Sequence, residues 1–252
     1  MIDKCTTKSW ETSLYEPQQL YYNLMGEKIL TDKNVKSAYY MAKYKKSCDS
    51  PAWDGMTRTI LIDGMEQEHA LALIRYHILH GPSGCVKRFD IPKSNGKTRP
   101  ISIYPLLDRV AQWCIMEPLR KACGPLLSPI NHAFLKGKSC KTAFDAFPPA
   151  GEAGYVICGD IHSFFDSVSH SLVRACLWSA GIRDSQLLHT INVTLKTPYK
   201  YPKQPKVRPE QGLPQGAPIS PLLANIILAY MDRYFDALYG DQKLPHMVRY
   251  AD

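Results

Sequence analysis

Residues 155–166 read Tyr155-Val156-Ile157-Cys158-Gly159-Asp160-Ile161-His162-Ser163-Phe164-Phe165-Asp166. The first five residues have the β-branched and aromatic character of a short buried strand, and the strand delivers a carboxylate at Asp160. An acid in that place is costly unless it sits at an open sheet end or meets a cation. A second strand-like stretch, His246-Met247-Val248-Arg249-Tyr250-Ala251, delivers Asp252 in the same way. Two strands that each present a carboxylate at one sheet edge can hold two divalent ions roughly 4 Å apart, the arrangement for in-line phosphoryl or nucleotidyl transfer. Taken singly, each Asp is more often a turn or cap residue. The reading therefore rests on the pair.

Composition agrees with a globular protein. The chain has 252 residues, 45% of them hydrophobic and 21% charged, with a formal net charge of +8. That balance favours a polyanionic partner without requiring one. Eight cysteines are scattered singly, with no C-x-x-C pair, and the histidines have no metal-ligand spacing. This pattern reads as reduced thiols in a cytoplasmic protein, several of them core residues. No apolar run approaches the ~20 residues of a membrane span.

Between the two acids lies Gly212-Leu213-Pro214-Gln215-Gly216-Ala217-Pro218-Ile219-Ser220-Pro221. Gly216 between two prolines makes a rigid loop whose backbone can approach a ligand, or equally an ordinary helix-initiating turn. Ser220-Pro221 then starts a helix with a hydroxyl cap and proline at the first position.

Upstream, residues 85–92 alternate like a strand, Asn95-Gly96 supplies a turn, and residues 99–103 return. The hairpin carries Lys87, Arg88, Lys93, Lys97 and Arg99 against the single acid Asp90. By itself this is either a solvated cationic hairpin or an anion clamp. Helical spacing marks residues 34–42, 65–80 and 106–123, with Pro118 expected to bend or end the last of these. Residues 147–154 read as a linker, and 1–33 as a polar extension. Lys196, Lys200, Lys203, Lys206 and Arg208 form a second basic stretch.

Taken together, these blocks resemble the reverse transcriptases of the bacterial group II intron type, with retron-like features in the Leu-Pro-Gln-Gly-Ala-Pro loop. YVICGDIHSFFDSVSH is similar to the family's first catalytic-acid motif, GLPQGAPISPLLANI to its nucleotide-pocket loop, and VRYAD to the start of its Y-A-D-D motif. IPKSNGKTRPISI, LLDRVAQ, NHAFLKGKS and the D-G-M-T at 54–57 resemble four further blocks in order, and the likeness runs from about residue 34 to 252. Ala133-Phe134-Leu135 departs from the family's Gly-Phe-Arg.

The resemblance implies an α+β right-hand polymerase fold: an extension over 1–33, fingers over 34–113, and an incomplete palm with an antiparallel sheet over 114–252, of which 181–213 returns towards the fingers. It implies an RNA-directed DNA polymerase that adds dNTPs to a primer 3′-hydroxyl on an RNA template. Asp160, Asp252 and the Ile161 carbonyl would hold two Mg²⁺ ions. Lys93 and Arg99 would clamp the triphosphate, Ile101 would pack on the templating base, and Gln215 and Gly216 would line the sugar. Phe165 would exclude a 2′-hydroxyl, with Phe164 in the core, because alternation along a strand lets one ring point inward. Asp166 is expected to be structural. The resemblance further implies a chain that stops inside the Y-A-D-D motif, lacks the thumb and is inactive alone. The alternative is a non-catalytic RNA-binding module of a maturase-like or degenerate enzyme, with intron or other non-coding RNA as partner.

Overall fold

The computed structural model describes residues 16–82, 84–92, 96–147, 155–239 and 247–251. Its first helices are α1 (Asp32–Tyr44), α2 (Arg58–Ile62) and α3 (Gln67–His80). Thr31 caps α1 by accepting the Asn34 amide hydrogen, and Val35, Ala38, Tyr39 and Ala42 form its buried stripe. α3 buries Ala70, Leu71, Ile74, His77 and Ile78, and stops at Gly81, whose φ of 76° relieves the left-handed turn.

The hairpin follows as β1 (Val86–Pro92) and β2 (Thr98–Ile103), antiparallel, with Arg88 opposite Ser102 and Ile91 opposite Arg99. Next comes α4 (Leu106–Cys123), buried along most of its surface and packed against α1 and α3. Pro118 stands inside α4 and does not end it. A proline there cannot donate to the carbonyl four residues back. That carbonyl, at Cys114, accepts Asn34 Nδ2 at 2.9 Å instead, so the helix continues without an orphaned acceptor.

Four short or medium helices come next: α5 (Cys140–Asp145), α6 (Phe164–Ser167), α7 (His170–Ser179) and α8 (Ser185–Leu195). β3 (Tyr199–Lys200) then returns to the hairpin and pairs parallel to β1, giving a sheet of order β2-β1-β3. α9 (Ser220–Tyr239) closes the core against α4 and α7. Ser220 begins α9 as expected, although its hydroxyl is used in the other direction. It donates to the Pro214 carbonyl at 2.9 Å and ties the loop to the helix.

Three expectations are corrected. Residues 155–159 form no strand, and Tyr155 and Ile157 are 96% and 95% exposed. No segment among the described residues pairs with them, and a lone strand keeps its backbone groups on water. The terminal segment pairs elsewhere. Arg249 forms an isolated parallel bridge with Asn131, its amide donating to the Ile130 carbonyl at 2.9 Å while His132 donates to its own carbonyl at 2.8 Å. No antiparallel palm ladder through 155–160 therefore occurs among the described residues. Lastly, the extension is not merely polar. Leu24, Met25 and Ile29 lie in the main core, and the Met25 amide donates to the buried Asp184 carboxylate at 2.7 Å.

Cys48, Cys85, Cys114, Cys123 and Cys176 are buried free thiols, and burial pushes those of Cys114 and Cys123 up to about 12. Among the described residues, no helix is long and apolar enough to cross a membrane.

Candidate active site

The site is assembled by a loop that fastens two distant parts of the chain. Ser163 adopts a left-handed conformation with φ 51°, which starts the single turn of α6 immediately after Asp160 and Ile161. The Ile161 carbonyl accepts the Phe164 amide hydrogen at 3.2 Å. Behind this turn, Leu213 donates to the Phe165 carbonyl at 2.6 Å and Gly212 to the Val168 carbonyl at 2.7 Å. The loop is thereby laid along α6. His170 braces it from below, its Nε2 lying 3.1 Å from the Gly212 carbonyl, so the ring is the tautomer with its proton on Nε2.

From there the loop reaches the hairpin. The Ser102 amide donates to the Gln215 carbonyl at 2.7 Å. Gly216, at φ 108°, sits so close to β2 that a Cβ would lie 2.2 Å from the Ser102 carbonyl oxygen. The close approach expected of Gly216 is thus made to the protein's own backbone.

A cavity of about 450 Å³ results, walled by Lys97 and Arg99 on one side, Asp160, Ile161, Phe165 and Asp166 on the other, and Gln215 between them. Five residues singled out in the sequence, Arg99, Asp160, Ile161, Phe165 and Gln215, share this wall. Gly216 shapes the loop behind it. Ile101 is not on the wall and stands opposite Phe89 in the hairpin register. Lys93 and Asp252 lie outside the described residues.

Phe164 is 6% exposed and packs in the core, whereas Phe165 is half-buried. Alternation is not what separates them, because α6 is helical. Consecutive side chains on a helix diverge by about 100°; both residues border the cavity, and their rings meet edge to face at 5.9 Å.

Two further features were not legible. Asp166, expected to be structural, shares the cavity wall with Asp160; its six-residue spacing carried no signal, since a helical turn was not anticipated there. The other is Arg249, buried at 4% exposure, which donates Nε to Asp232 Oδ1 and Nη2 to Asp232 Oδ2, both at 2.7 Å. Nη1 adds longer contact with Asn225 and a bond to the Ala251 carbonyl. Burial raises the Asp232 carboxyl above its usual range, against the opposing pull of Arg249. This fork pins the segment that leads to Tyr250 and Ala251.

Hard oxygen donors suit a hard divalent cation. The two cavity carboxylates are of that kind, and the cations on the facing wall suit a phosphate. Among the described residues, no cluster of three or more His, Cys, Asp or Glu is preformed for a metal.

The α+β fold, with its basic hairpin tied by the Ser102–Gln215 bond to the loop that lies along the Asp160-bearing turn, is that of the fingers and palm of a polymerase. Residues 91–252 match the family described as reverse transcriptase (RNA-dependent DNA polymerase), and the chain belongs to that family. It is 32% identical over 206 residues to Protein YkfC of Escherichia coli K12, covering 77% of this chain and 52% of that one. It is 31% identical over 155 residues to the group II intron-encoded protein LtrA of Lactococcus lactis subsp. cremoris, covering 59% and 25% respectively. The chain thus spans about half or less of the length of these relatives. Its fold is also similar to a chain of the partial Cas6-RT-Cas1–Cas2 complex, with a TM-score of 0.50 at 23% identity, covering 89% of this chain and 36% of that one.

Proposed function

We propose that this chain is the fingers and partial palm of an RNA-directed DNA polymerase, adding dNTPs to a primer 3′-hydroxyl on an RNA template. The observation that carries the reading is the single cavity walled by Arg99, Asp160, Phe165 and Gln215, which come from three separated stretches of sequence. Arg99 presents a planar cation suited to bidentate phosphate contact, and Lys97 adds a second charge. Phe165 forms the floor on which the deoxyribose would rest, with the Gln215 loop at its side. Asp160, together with Asp252 and the Ile161 carbonyl, would hold two Mg²⁺ ions. Bound there, these ions supply charge neutralisation for the triphosphate and acidify the 3′-hydroxyl. Lys93 would add to the phosphate clamp, and Ile101, outside the cavity wall, would pack on the templating base.

The test is primer extension on an RNA template by the protein expressed from its whole gene. Asp160→Asn should abolish synthesis and leave template affinity nearly unchanged, because the basic surface is intact. Arg99→Ala should raise the KM for dNTPs, with kcat equal or lower, because a phosphate clamp both binds and orients. Strong RNA binding with no nucleotide addition by the parent protein would replace this reading with that of a non-catalytic RNA-binding module.

A further inference from the structure

A second cavity, of about 340 Å³, lies on the other side of the Ser102–Gln215 junction. Its walls include Val86 and Arg88 of β1, Tyr199 of β3, and Asp166, Arg208 and Glu210. Asp166 borders both cavities, so this one adjoins the nucleotide site without being part of it.

Its chemistry differs from that of its neighbour. The Arg88 guanidinium lies over the Tyr199 ring, its carbon 4.2 Å from the ring centroid. It makes no ion pair or hydrogen bond among the described residues, and its buried Nε has no partner. An arginine kept from any structural ion pair and held against an aromatic ring is a ready stacking surface. Across the cavity, two cations, Arg88 and Arg208, are balanced by two acids, Asp166 and Glu210. That balance disfavours a phosphate. It suits a neutral planar group bearing both donors and acceptors. The segment that follows β3 carries the exposed Lys203 and Lys206, cations that a phosphate backbone would favour, while Lys200 turns to the other face of the sheet, over Trp53.

We propose that this cavity receives one unpaired nucleobase of the template strand, stacked on the Arg88–Tyr199 pair while its sugar-phosphate chain runs towards Lys203 and Lys206. The proposal rests on the polymerase reading for the identity of the strand.

The test uses the full 252-residue chain and single-stranded RNA 12-mers carrying 2-aminopurine, a base whose emission changes on stacking. Its fluorescence should change on binding. Arg88→Ala and Tyr199→Leu should each weaken affinity about tenfold, the lower range for one stacked base, and abolish the fluorescence change. Val207→Trp, which fills the cavity from the residue that bridges to Tyr199, should do the same with Arg88 and Tyr199 themselves unchanged. An abasic site at the reporting position should weaken binding to the parent chain, with no additional loss in the Arg88 variant. Unchanged affinity in all three variants would overturn the proposal. So would an equal loss on abasic RNA, which would make Arg88 a phosphate contact. Adenosine monophosphate binding as tightly as the 12-mer would overturn the strand assignment. Primer extension by the protein from its whole gene, run in parallel, separates the two ideas: base coupling in the cavity without nucleotide addition leaves the cavity standing and removes the polymerase reading.

Discussion

The Ser102 amide donates to the Gln215 carbonyl at 2.7 Å, and the next residue, Gly216, brings its α-carbon against the Ser102 carbonyl. One residue of the fingers hairpin is therefore grasped from both its amide and its carbonyl sides by the loop before α9. Ser102 borders one of the two cavities and Gln215 the other. Hairpin and loop should accordingly behave as one unit.

Gly216→Ala tests that unit. The new methyl would meet backbone at 2.2 Å, and φ 108° is itself strained for alanine. A loss of about 1–3 kcal/mol is expected from the strain alone, read as a lower urea midpoint at unchanged slope. Gly96→Ala is the control, since Gly96 also has positive φ, at 76°, but nothing lies within 4 Å of its Cβ position. If both cost the same, the clasp contributes nothing beyond backbone conformation.

His170 makes stability depend on pH. Burial, opposed by the bond to the Gly212 carbonyl and assisted by the charge of Lys196, holds its imidazole below 6.5. A base whose folded pKa is depressed contributes stability that is complete above 6.5 and is lost as pH falls through that value towards the folded pKa. Urea unfolding should therefore show a decrease between pH 7.5 and 5.5. The decrease should be smaller in His170→Gln, which leaves the similar contribution of His132, also depressed by burial, in place. An identical pH dependence in variant and parent would remove His170 from the account.

The two neighbouring phenylalanines should separate by function. Phe165→Ala in the protein from its whole gene should lower discrimination against ribonucleotides at least tenfold, equivalent to ~1.4 kcal/mol. Phe164→Ala should leave sugar choice nearly unchanged and cost about 3–5 kcal/mol of stability, as buried phenylalanines do. Undiminished rejection of ribonucleotides by the Phe165 variant would exclude the ring as the steric barrier.

The Arg249–Asp232 fork predicts a non-additive pair. Arg249→Met strands a buried carboxylate and should cost about 3–5 kcal/mol. Adding Asp232→Leu should recover most of that loss, because both charges are then gone. Hydrogen exchange at Arg249 and His132 amides, which form the bridge to residues 130–132, should accelerate in the single variant and return towards the parent in the double one. Equal, additive losses would mean the fork is not a coupled unit.

Sequence alone determined the features written in local chemistry. The hairpin is legible because alternation and Asn95-Gly96 act within a few residues, α1, α3 and α4 because an apolar stripe at helical spacing has few other solutions, and the start of α9 because Ser220-Pro221 suits a first turn. Arg99, Asp160, Phe165 and Gln215 could be named because each sits in a short distinctive block. Long-range contacts decided the rest. Pro118 does not break α4, because Asn34, far away in the chain, takes the carbonyl it frees. Residues 155–159 have the composition of a strand yet form none and are exposed to water, since composition cannot supply a neighbouring ladder. The fork between Arg249 and Asp232 and the second cavity at Arg88 and Tyr199 join positions with no shared periodicity. Their energies come from burial and pairing across the fold, which exist only once the chain has closed on itself.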